Sequence, residues 1–554
     1  IDIHGQANQR LHRQFLPGHL GWWAFKTWHG LDSEPTYEDD IEYLCTKALA
    51  SNTGLSIMGI TPANVGKIPA LPRLASIVRR HESLRHAGYF SEEIKQKLRV
   101  PGDEYALFQG DDGDWQFRPE EHDRHKVESR EAWSSTWTVE NSFDSQPPAL
   151  RIEVLTAARP YDSSDGKVLA DLGEVGVLPQ VAAQPGIAAT LEPSTAQVRT
   201  GTVSGCFSAT NSTPTAIRSW SKMGKTFSPP LDLSGNRALG LWVYGDGKGE
   251  VINLQQTSPS HLSHGIADHY ILVDFVGWRY LELIEPEGAR HADYSWPYGG
   301  IYSIYRESIR PNAVQTLSLW YNNLPPGEQA TCYLSPIQAL PTVEATLRNP
   351  RVSIGGATLT FPVEIKTGQV LEFRSPTDCR LFGRQGEDLA RVTPLGDVPT
   401  LAAGANLVRF ECDETDGLNP RAYVSVITRG APVRGKAPDD QIGWDLLRRE
   451  DDPPHTIRAL DGKQNRWETI CRPNPPQATL EVEIAVDAIG EPGALYGHPD
   501  ALTLISSDSL EAFADTAQNE YAKYVVSGPR RGFPKSLGVT HDLALADGVV
   551  REGK

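Results

Sequence analysis

Apolar and polar positions change period along this chain, and the change divides it. Between residues 18 and 28, GHLGWWAFKTW reads as a short buried strand carrying aromatics. Over 38–50 the apolar residues fall at Ile41, Leu44, Cys45, Ala48 and Leu49, the i, i+3, i+4 stripe of a helix that lays one face on a sheet. Thr36 is placed as its N-cap, with Asp39 three residues on and acid throughout the first turn, where carboxylates favour the helix dipole. A largely apolar run at 54–60 follows, then a long helix over 69–87. The order strand, helix, strand, helix implies parallel strands joined by crossover helices.

From Trp133 the period is two. Trp137 and Val139, then Leu150, Ile152 and Val154, alternate with polar residues as half-buried strands do. Further on, Leu239, Leu241 and Val243 lead into Gly245-Asp246-Gly247-Lys248-Gly249, a turn of residues that tolerate positive φ. Val251, Ile252 and Leu254 follow, then a polar loop with histidines, then a run closing on Trp278 and Tyr280. This is a β-sandwich meander. Short strands recur at 352–354, 358–365, 370–373, 407–410 and 423–427, punctuated by Gly355-Gly356 and the turn at 403–406, the spacing of an immunoglobulin-like sandwich. The charged, Pro-rich stretch 431–465 reads as a linker or long surface loop. Beyond it, Trp467-Glu468-Thr469 and the strand at 480–484 echo Thr136-Trp137-Thr138 and 150–154, which suggests that a second copy of the strand-plus-jelly-roll module begins there.

At 554 residues the chain exceeds one ordinary domain. The formal charge of −17, with no tract concentrating the 53 Lys and Arg, argues against a nucleic-acid partner. No run of about 18 apolar residues is present to span a membrane. The six cysteines show no CxxC spacing, so neither a zinc knuckle nor a redox motif is indicated, while Cys379 and Cys412 fall in one β unit and could pair. Thirteen Trp, 18 Tyr, 49 Gly and 41 Pro against two Met fit loop-rich β domains of a secreted, periplasmic or cell-surface protein. The chain opens at Ile1 with no initiator Met and no basic n-region, and both ends read as cut, so that other fragments of the same polypeptide are possible partners.

The pattern LGLWVYGDGKG, INLQ and HYILVDFVGWRYLEL over 239–283 resembles the galactose-binding-domain-like jelly rolls used as carbohydrate-binding modules, and the resemblance covers about 165–340. The GWW of the first strand and SIMG of the second are similar to the closing strands of glycoside hydrolase-type (β/α)8 barrels. The layout expected is therefore multidomain and mainly β: 1–100, C-terminal βα units of a TIM-type barrel; 101–164, a β-rich connecting domain; 165–340, a jelly roll; 341–430, an immunoglobulin-like sandwich; 431–465, a linker; 466–554, the start of a second jelly-roll-like module. The resemblance implies a carbohydrate-active protein that degrades a polysaccharide or complex glycan by hydrolysis, with β modules that bind the glycan. A non-catalytic glycan-binding surface protein and a polysaccharide lyase are the alternatives.

The candidate chemistry follows. Hydrolysis of a glycosidic bond needs two carboxyl groups, one protonated and one ionised. In the barrel segment the loop carboxylates at a strand end are Asp32 and Glu34, followed by Glu38, Asp39 and Asp40, of which the last three serve the helix N-terminus. Asp32 and Glu34 would share a cleft with Trp22, Trp23, Lys26, Trp28 and His29. In the jelly roll, His261, Trp296 and Tyr298 stand in Ser-, Pro- and Gly-rich connections and suit a pyranose, which stacks its C–H face on rings and pairs its hydroxyls. Trp242, Trp278 and Trp320, each inside a strand, read as core. His261, His264 and His269 lack the spacing of one coordinating face, so no metal site is expected from them. The acidic turn at 111–114 is a hairpin tip, with a structural calcium ion as the alternative.

Overall fold

The structure, a computed structural model of the chain, describes residues 1–2, 19–27, 30–31, 34–61, 63–128, 134–259, 265–284, 309–413, 417–419 and 421–438, and short strands between 458 and 537. The chain forms two units, Ile1–Val78 with Leu98–Arg434, and Arg79–Lys97 with Gly435–Lys554.

The first unit opens on β1 (His19–Ala24) and β2 (Gly54–Met58), a parallel pair joined by helix α1 (Glu38–Ser51). The apolar stripe of α1 does what its spacing implies: Leu44 and Ala48 bury against Leu20, while Ile41 and Cys45 pack with Leu74 and Ile77 of α2 (Leu71–Ala87). The cap lies one residue later than expected. Tyr37 is the N-cap and its N–H donates to Asp40 Oδ2 at 2.8 Å, whereas the Thr36 hydroxyl accepts the Lys26 N–H at 3.0 Å. One βαβ unit is thus present where C-terminal βα units of a TIM-type barrel were expected, and no barrel is evident among the described residues. Among the described residues β1 and β2 are the parallel pair, and two strands cannot close a cylinder that takes eight. Among those residues, too, no helix is long and apolar enough to cross a membrane.

After α3 (Glu92–Leu98) the first unit is antiparallel. The strands β3 (Glu104–Gln109), β4 (Trp115–Glu128), β5 (Ser134–Asn141), β6 (Ala149–Val154) and β7 (Ala157–Ala158) come first. Next is a group from β8 (Lys167–Ala170) through β9 (Gln180–Ala183), β10 (Ile187–Ser194), β11 (Ser204–Asn211), β12 (Trp220–Leu231), β13 (Ala238–Asp246), β14 (Glu250–Ser258), β15 (Gly265–Val273), β16 (Val276–Ile284), β17 (Val314–Asn322) and β18 (Gln329–Leu334) to β19 (Ile337–Leu340). The last group is β20 (Thr342–Val343), β21 (Thr346–Arg348), β22 (Arg351–Ile354), β23 (Ala357–Thr360), β24 (Glu364–Lys366), β25 (Val370–Ser375), β26 (Asp378–Phe382), β27 (Asp388–Arg391), β28 (Leu395–Gly396), β29 (Gly404–Glu411) and β30 (Arg421–Arg429).

The first and last groups, read separately from the sequence, interleave in one sandwich. Its sheets run β27-β26-β25-β6-β30-β4-β3 and β28-β23-β22-β29-β5. Strand β6 lies between β25 and β30, and β5 pairs β29 along its whole length. Val139, Ile152, Phe361, Phe373, Phe410 and Val424 fill the space between the sheets, with Cys379 and Cys412 among them as free thiols, not a disulfide. The 110–114 turn is the tip of the β3–β4 hairpin, as expected, with Gly113 at φ 83°. Val433 continues the sandwich by exchanging backbone hydrogen bonds with Phe117, so the stretch expected to be a linker starts inside the fold.

The middle group is a second sandwich, inserted between β7 and β20. One sheet runs β10-β11-β18-β13-β19-β8, with β16 also paired to β13; the other runs β15-β14-β17-β12-β9. Leu239, Leu241 and Val243 of β13 face Ile252 and Leu254 of β14 and Leu317, Leu319 and Tyr321 of β17 across the core. The glycine-rich turn at 245–249 is therefore a corner that carries the chain from one sheet to the other, not a hairpin within a sheet. Gly247 and Gly249 take φ of 78° and 83°, and a Cβ on Gly245 would stand 2.3 Å from the Phe275 carbonyl oxygen. Where the insert meets the first sandwich, Arg421 and Glu282 are both buried, 3.8 Å apart, beside Ala158, Ala238, Ile284 and Leu340.

In the second unit the described residues are the end of α2, most of α3, 435–438, and the strands β31 (Arg458–Asp461), β32 (Arg466–Cys471), β33 (Leu480–Ile484), β34 (Val525–Arg530) and β35 (Phe533–Leu537). These strands make one three-stranded sheet and one hairpin, and the remainder of the expected second jelly roll lies outside the described residues.

Candidate functional site

Trp28, His29, Asp32, His261, His264, Trp296 and Tyr298 lie outside the described residues. The other expected cleft residues, Trp22, Trp23, Lys26 and Glu34, are described. Trp22 stands 60% exposed on β1, whereas the Trp23 indole donates to the Leu20 carbonyl at 3.0 Å and packs on Leu20 and Leu44. Lys26 is tied through its backbone to Thr36. Glu34 is 3.4 Å from the Arg124 guanidinium, which also holds Glu153 at 2.7 Å.

The neighbouring carboxylates are engaged as well. Burial opposes ionisation of Asp39, yet Arg151, bonded at 3.2 and 2.5 Å, keeps it below the ordinary carboxylate range. Burial, with the Asp39 charge beside it, pushes Asp40 up to about 6. One raised and one lowered carboxyl is the electrostatic signature of an acid/base pair, but here one caps α1 and the other clasps an arginine. A cleft of about 430 Å³ does open beside Glu38, lined by Arg73, Glu372, Arg374, Asp378, Arg380 and Asp388. Arg374 pairs with Glu38 and Glu372, Arg380 with Asp378 and Asp388, and Arg73 with Glu38, so its charges are spent on one another.

The face that combines rings with hydrogen-bonding groups lies on the inserted sandwich. Residues directly opposite in antiparallel strands share a side of the sheet. On the outer side of the five-stranded sheet the register aligns Ala182, Lys222, Trp320, Asn253 and Tyr270 in one row across β9, β12, β17, β14 and β15. The adjacent row is Gln180, Gly224, Ser318, Gln255 and Asp268, and on the other flank lie Trp220, Asn322, Val251 and Leu272. The inner side of the same strands carries the aliphatic core. The outer side therefore carries amides, a carboxylate, an ammonium, a hydroxyl and rings, with the aliphatic Val251 and Leu272 on one flank and Ala182 at the edge.

These groups are held in place by one another. Asp268 Oδ1 accepts from Asn253 Nδ2 at 2.9 Å and from Gln255 Nε2 at 3.0 Å, and Asn253 Oδ1 accepts the His269 N–H at 2.9 Å. Trp220 and Trp320 lie 5.4 Å apart at 58°, and Lys222 Nζ sits 5.0 Å from the Trp320 ring centre, within cation–π range. Burial pushes the Lys222 ammonium below its ordinary pKa. The middle of the row is enclosed, with Trp320 and Asn253 both 0% exposed, while Lys222, Tyr270 and Asp268 remain partly exposed. The groups that solvent reaches, Lys222, Tyr270 and Asp268, offer an ammonium, a ring with its hydroxyl and a carboxylate; the set holds no nucleophile with a base.

The sequence reading placed Trp320 in the core, and the side chain is indeed 0% exposed; what it did not read is that this side of the sheet is polar. The signal was in β17, VQTLSLWYN, where Trp320 shares its period with Thr316 and Ser318 while Leu317, Leu319 and Tyr321 hold the other side. His269, by contrast, is on the inner side of β15, buried beside Leu254. Among the described residues no group of three His, Cys, Asp or Glu is placed to hold a metal ion.

No family model and no curated protein matches the chain. Among solved structures, it is similar to the family 11 carbohydrate-binding module of the cellulosomal cellulase Lic26A-Cel5E of Clostridium thermocellum, at 13% identity over 33% of this chain and 97% of that one, with a TM-score of 0.25. The CBM22-1 xylan-binding domain of Paenibacillus barcinonensis Xyn10C matches at 13% identity over 33% and 97%, with a TM-score of 0.19. An exo-beta-agarase matches at 12% identity over 31% and 25%, with a TM-score of 0.21. At these scores the likenesses carry no functional weight, and the description of the insert rests on its own two sheets.

Proposed function

We propose that this chain is a glycan-binding part of a carbohydrate-active protein and that it holds a saccharide against the outer side of the five-stranded sheet. The observation that carries this reading is the partly exposed set Lys222, Tyr270 and Asp268 on the outer side of the sheet, braced from beneath by the buried Trp320, Asn253 and Gln255 of the same rows. A pyranose ring has apolar C–H faces for rings and a rim of hydroxyls for paired amide and carboxylate groups. Binding is favoured over cleavage because the described carboxylates near the expected cleft are bonded to arginines or to a helix N-terminus.

The test is affinity electrophoresis of the whole chain through gels containing mixed-linked β-glucan, xylan or agarose, beside a reducing-sugar assay. Retardation on at least one gel without release of sugar is the expected result. Tyr270→Ala and Asp268→Ala should each weaken that retardation about tenfold, the scale of about 1.4 kcal/mol, with unchanged circular dichroism. Wild-type mobility on all three gels would refute the reading, as would variants that bind like wild type.

A further inference from the structure

The opposite sheet of the inserted sandwich presents a second chemical face. Strand β13 sends Leu239, Leu241 and Val243 inward, so Trp242 and Tyr244 point outward. Pairing places Trp278 of β16 on one side of Tyr244 and Tyr333 of β18 on the other, and the same row continues to Cys206 of β11 and Glu192 of β10. The rings meet edge to face: Tyr244 lies 5.6 Å from Trp278 at 74° and 5.9 Å from Tyr333 at 83°. All three are partly exposed.

A hydroxyl-bearing row borders the rings. Thr331 and Ser208, opposite one another, hydrogen-bond through their side chains at 3.0 Å, Thr190 pairs Ser208 from β10, and Asp246 accepts the Thr331 N–H at 2.8 Å. Thr190 is exposed, Ser208, Thr331 and Asp246 partly so. A surface made for a protein partner would expose aliphatic side chains between the rings; here the strongly exposed aliphatics of this face among the described residues are Val276, 75%, at the rim beside Asp246, and Val168, 60%, on the edge strand β8, and neither stands between the rings. The charges within the two rows are the carboxylates of Glu192 and Asp246, which disfavour a polyanionic ligand.

We infer that the row Trp278, Tyr244 and Tyr333, with its border of Thr190, Ser208, Thr331 and Asp246, is a second contact face for a neutral saccharide chain. The inference shares the glycan reading proposed above but not its residues, since the two faces lie on opposite sheets. Rings spaced across adjacent strands offer stacking surface, and the border offers donors and acceptors to equatorial hydroxyls. One module could then hold two glycan chains, one on each side.

Affinity electrophoresis on the same β-glucan, xylan and agarose gels separates the two faces. Trp278→Ala with Tyr333→Ala should weaken retardation about threefold or more, Tyr270→Ala should leave part of it, and the triple variant should lose all of it. Calorimetric titration of the wild-type chain with a hexasaccharide of the retarding polymer should give two sites per chain, a readout independent of how the variants fold. If the Trp278 and Tyr333 variant migrates as wild type, or one site is found and Tyr270→Ala removes it, the second face is overturned and the first stands. If that variant abolishes binding while Tyr270→Ala does not, the five-stranded face is overturned and this one stands. A wild-type dimer in sedimentation that the Trp278 and Tyr333 variant turns into a monomer, with glycan retardation unchanged, would make the face a self-association surface and overturn the inference.

Discussion

Glu250 shows how a single side chain departs from what its strand position promises. It begins β14 on the core side, with the Tyr321 hydroxyl donating to Oε1 at 2.6 Å. Burial, aided by the Asp246 charge, pushes its carboxyl from 4.5 up to about 7. Between those pH values the unfolded chain ionises Glu250 and the folded chain does not, so stability is full below about 4.5 and falls as pH rises towards 7. Glu250→Gln cannot ionise. The difference in unfolding free energy between wild type and variant should therefore change by up to about 3 kcal/mol across that window; parallel curves in denaturant titrations at pH 4.5 and 7.5 would disprove it. Nothing in the sequence marks Glu250, a polar residue after a glycine turn, as buried. Trp320 is buried, as suits a tryptophan in a strand, although its alternation with Thr316 and Ser318 sets it on the polar side of the sheet.

Among the elements, α1 and the alternating strands were legible because amphipathic period is a local property. The corner at 245–249 was legible as a turn but not as a crossing. A hairpin and a sheet-to-sheet corner use the same glycines, and the difference lies in whether β14 meets β13 or β17. The approach of Phe275 decides which glycine matters most. Gly245→Ala should destabilise the insert by more than about 2 kcal/mol through its clash with that carbonyl, whereas Gly249→Ala, with nothing within 4 Å of the new Cβ, should cost about 1 kcal/mol for its positive φ. Thermal unfolding that ranks the two the other way would contradict the corner geometry.

For the first unit as a whole, charge joins what the chain separates. Arg151 of β6 is buried and bonded to Asp39 of α1 and Glu372 of β25, and Tyr37 donates its hydroxyl to Glu153 at 2.9 Å. Removing one member of such a set strands the others in low dielectric. Arg151→Ala should lower stability by about 3–5 kcal/mol, and adding Asp39→Asn and Glu372→Gln should restore part of the loss; calorimetric unfolding that finds no restoration would show that packing of the arginine stem matters more than its charge. By itself the sequence determined the helices at 38–50 and 69–87, many of the strands and turns after Trp133, the mainly β class and the acidity that disfavours nucleic acid, because period, glycine placement and charge count are carried by residues close together in the chain. Only the tertiary structure decided that 101–164 and 341–430 build one sandwich around an insert, that a lone βαβ unit stands where the closing units of a barrel were expected, and which side of each sheet bears the rings. Those outcomes depend on partners hundreds of residues apart, and alternation names two sides of a strand without saying which one another strand will cover.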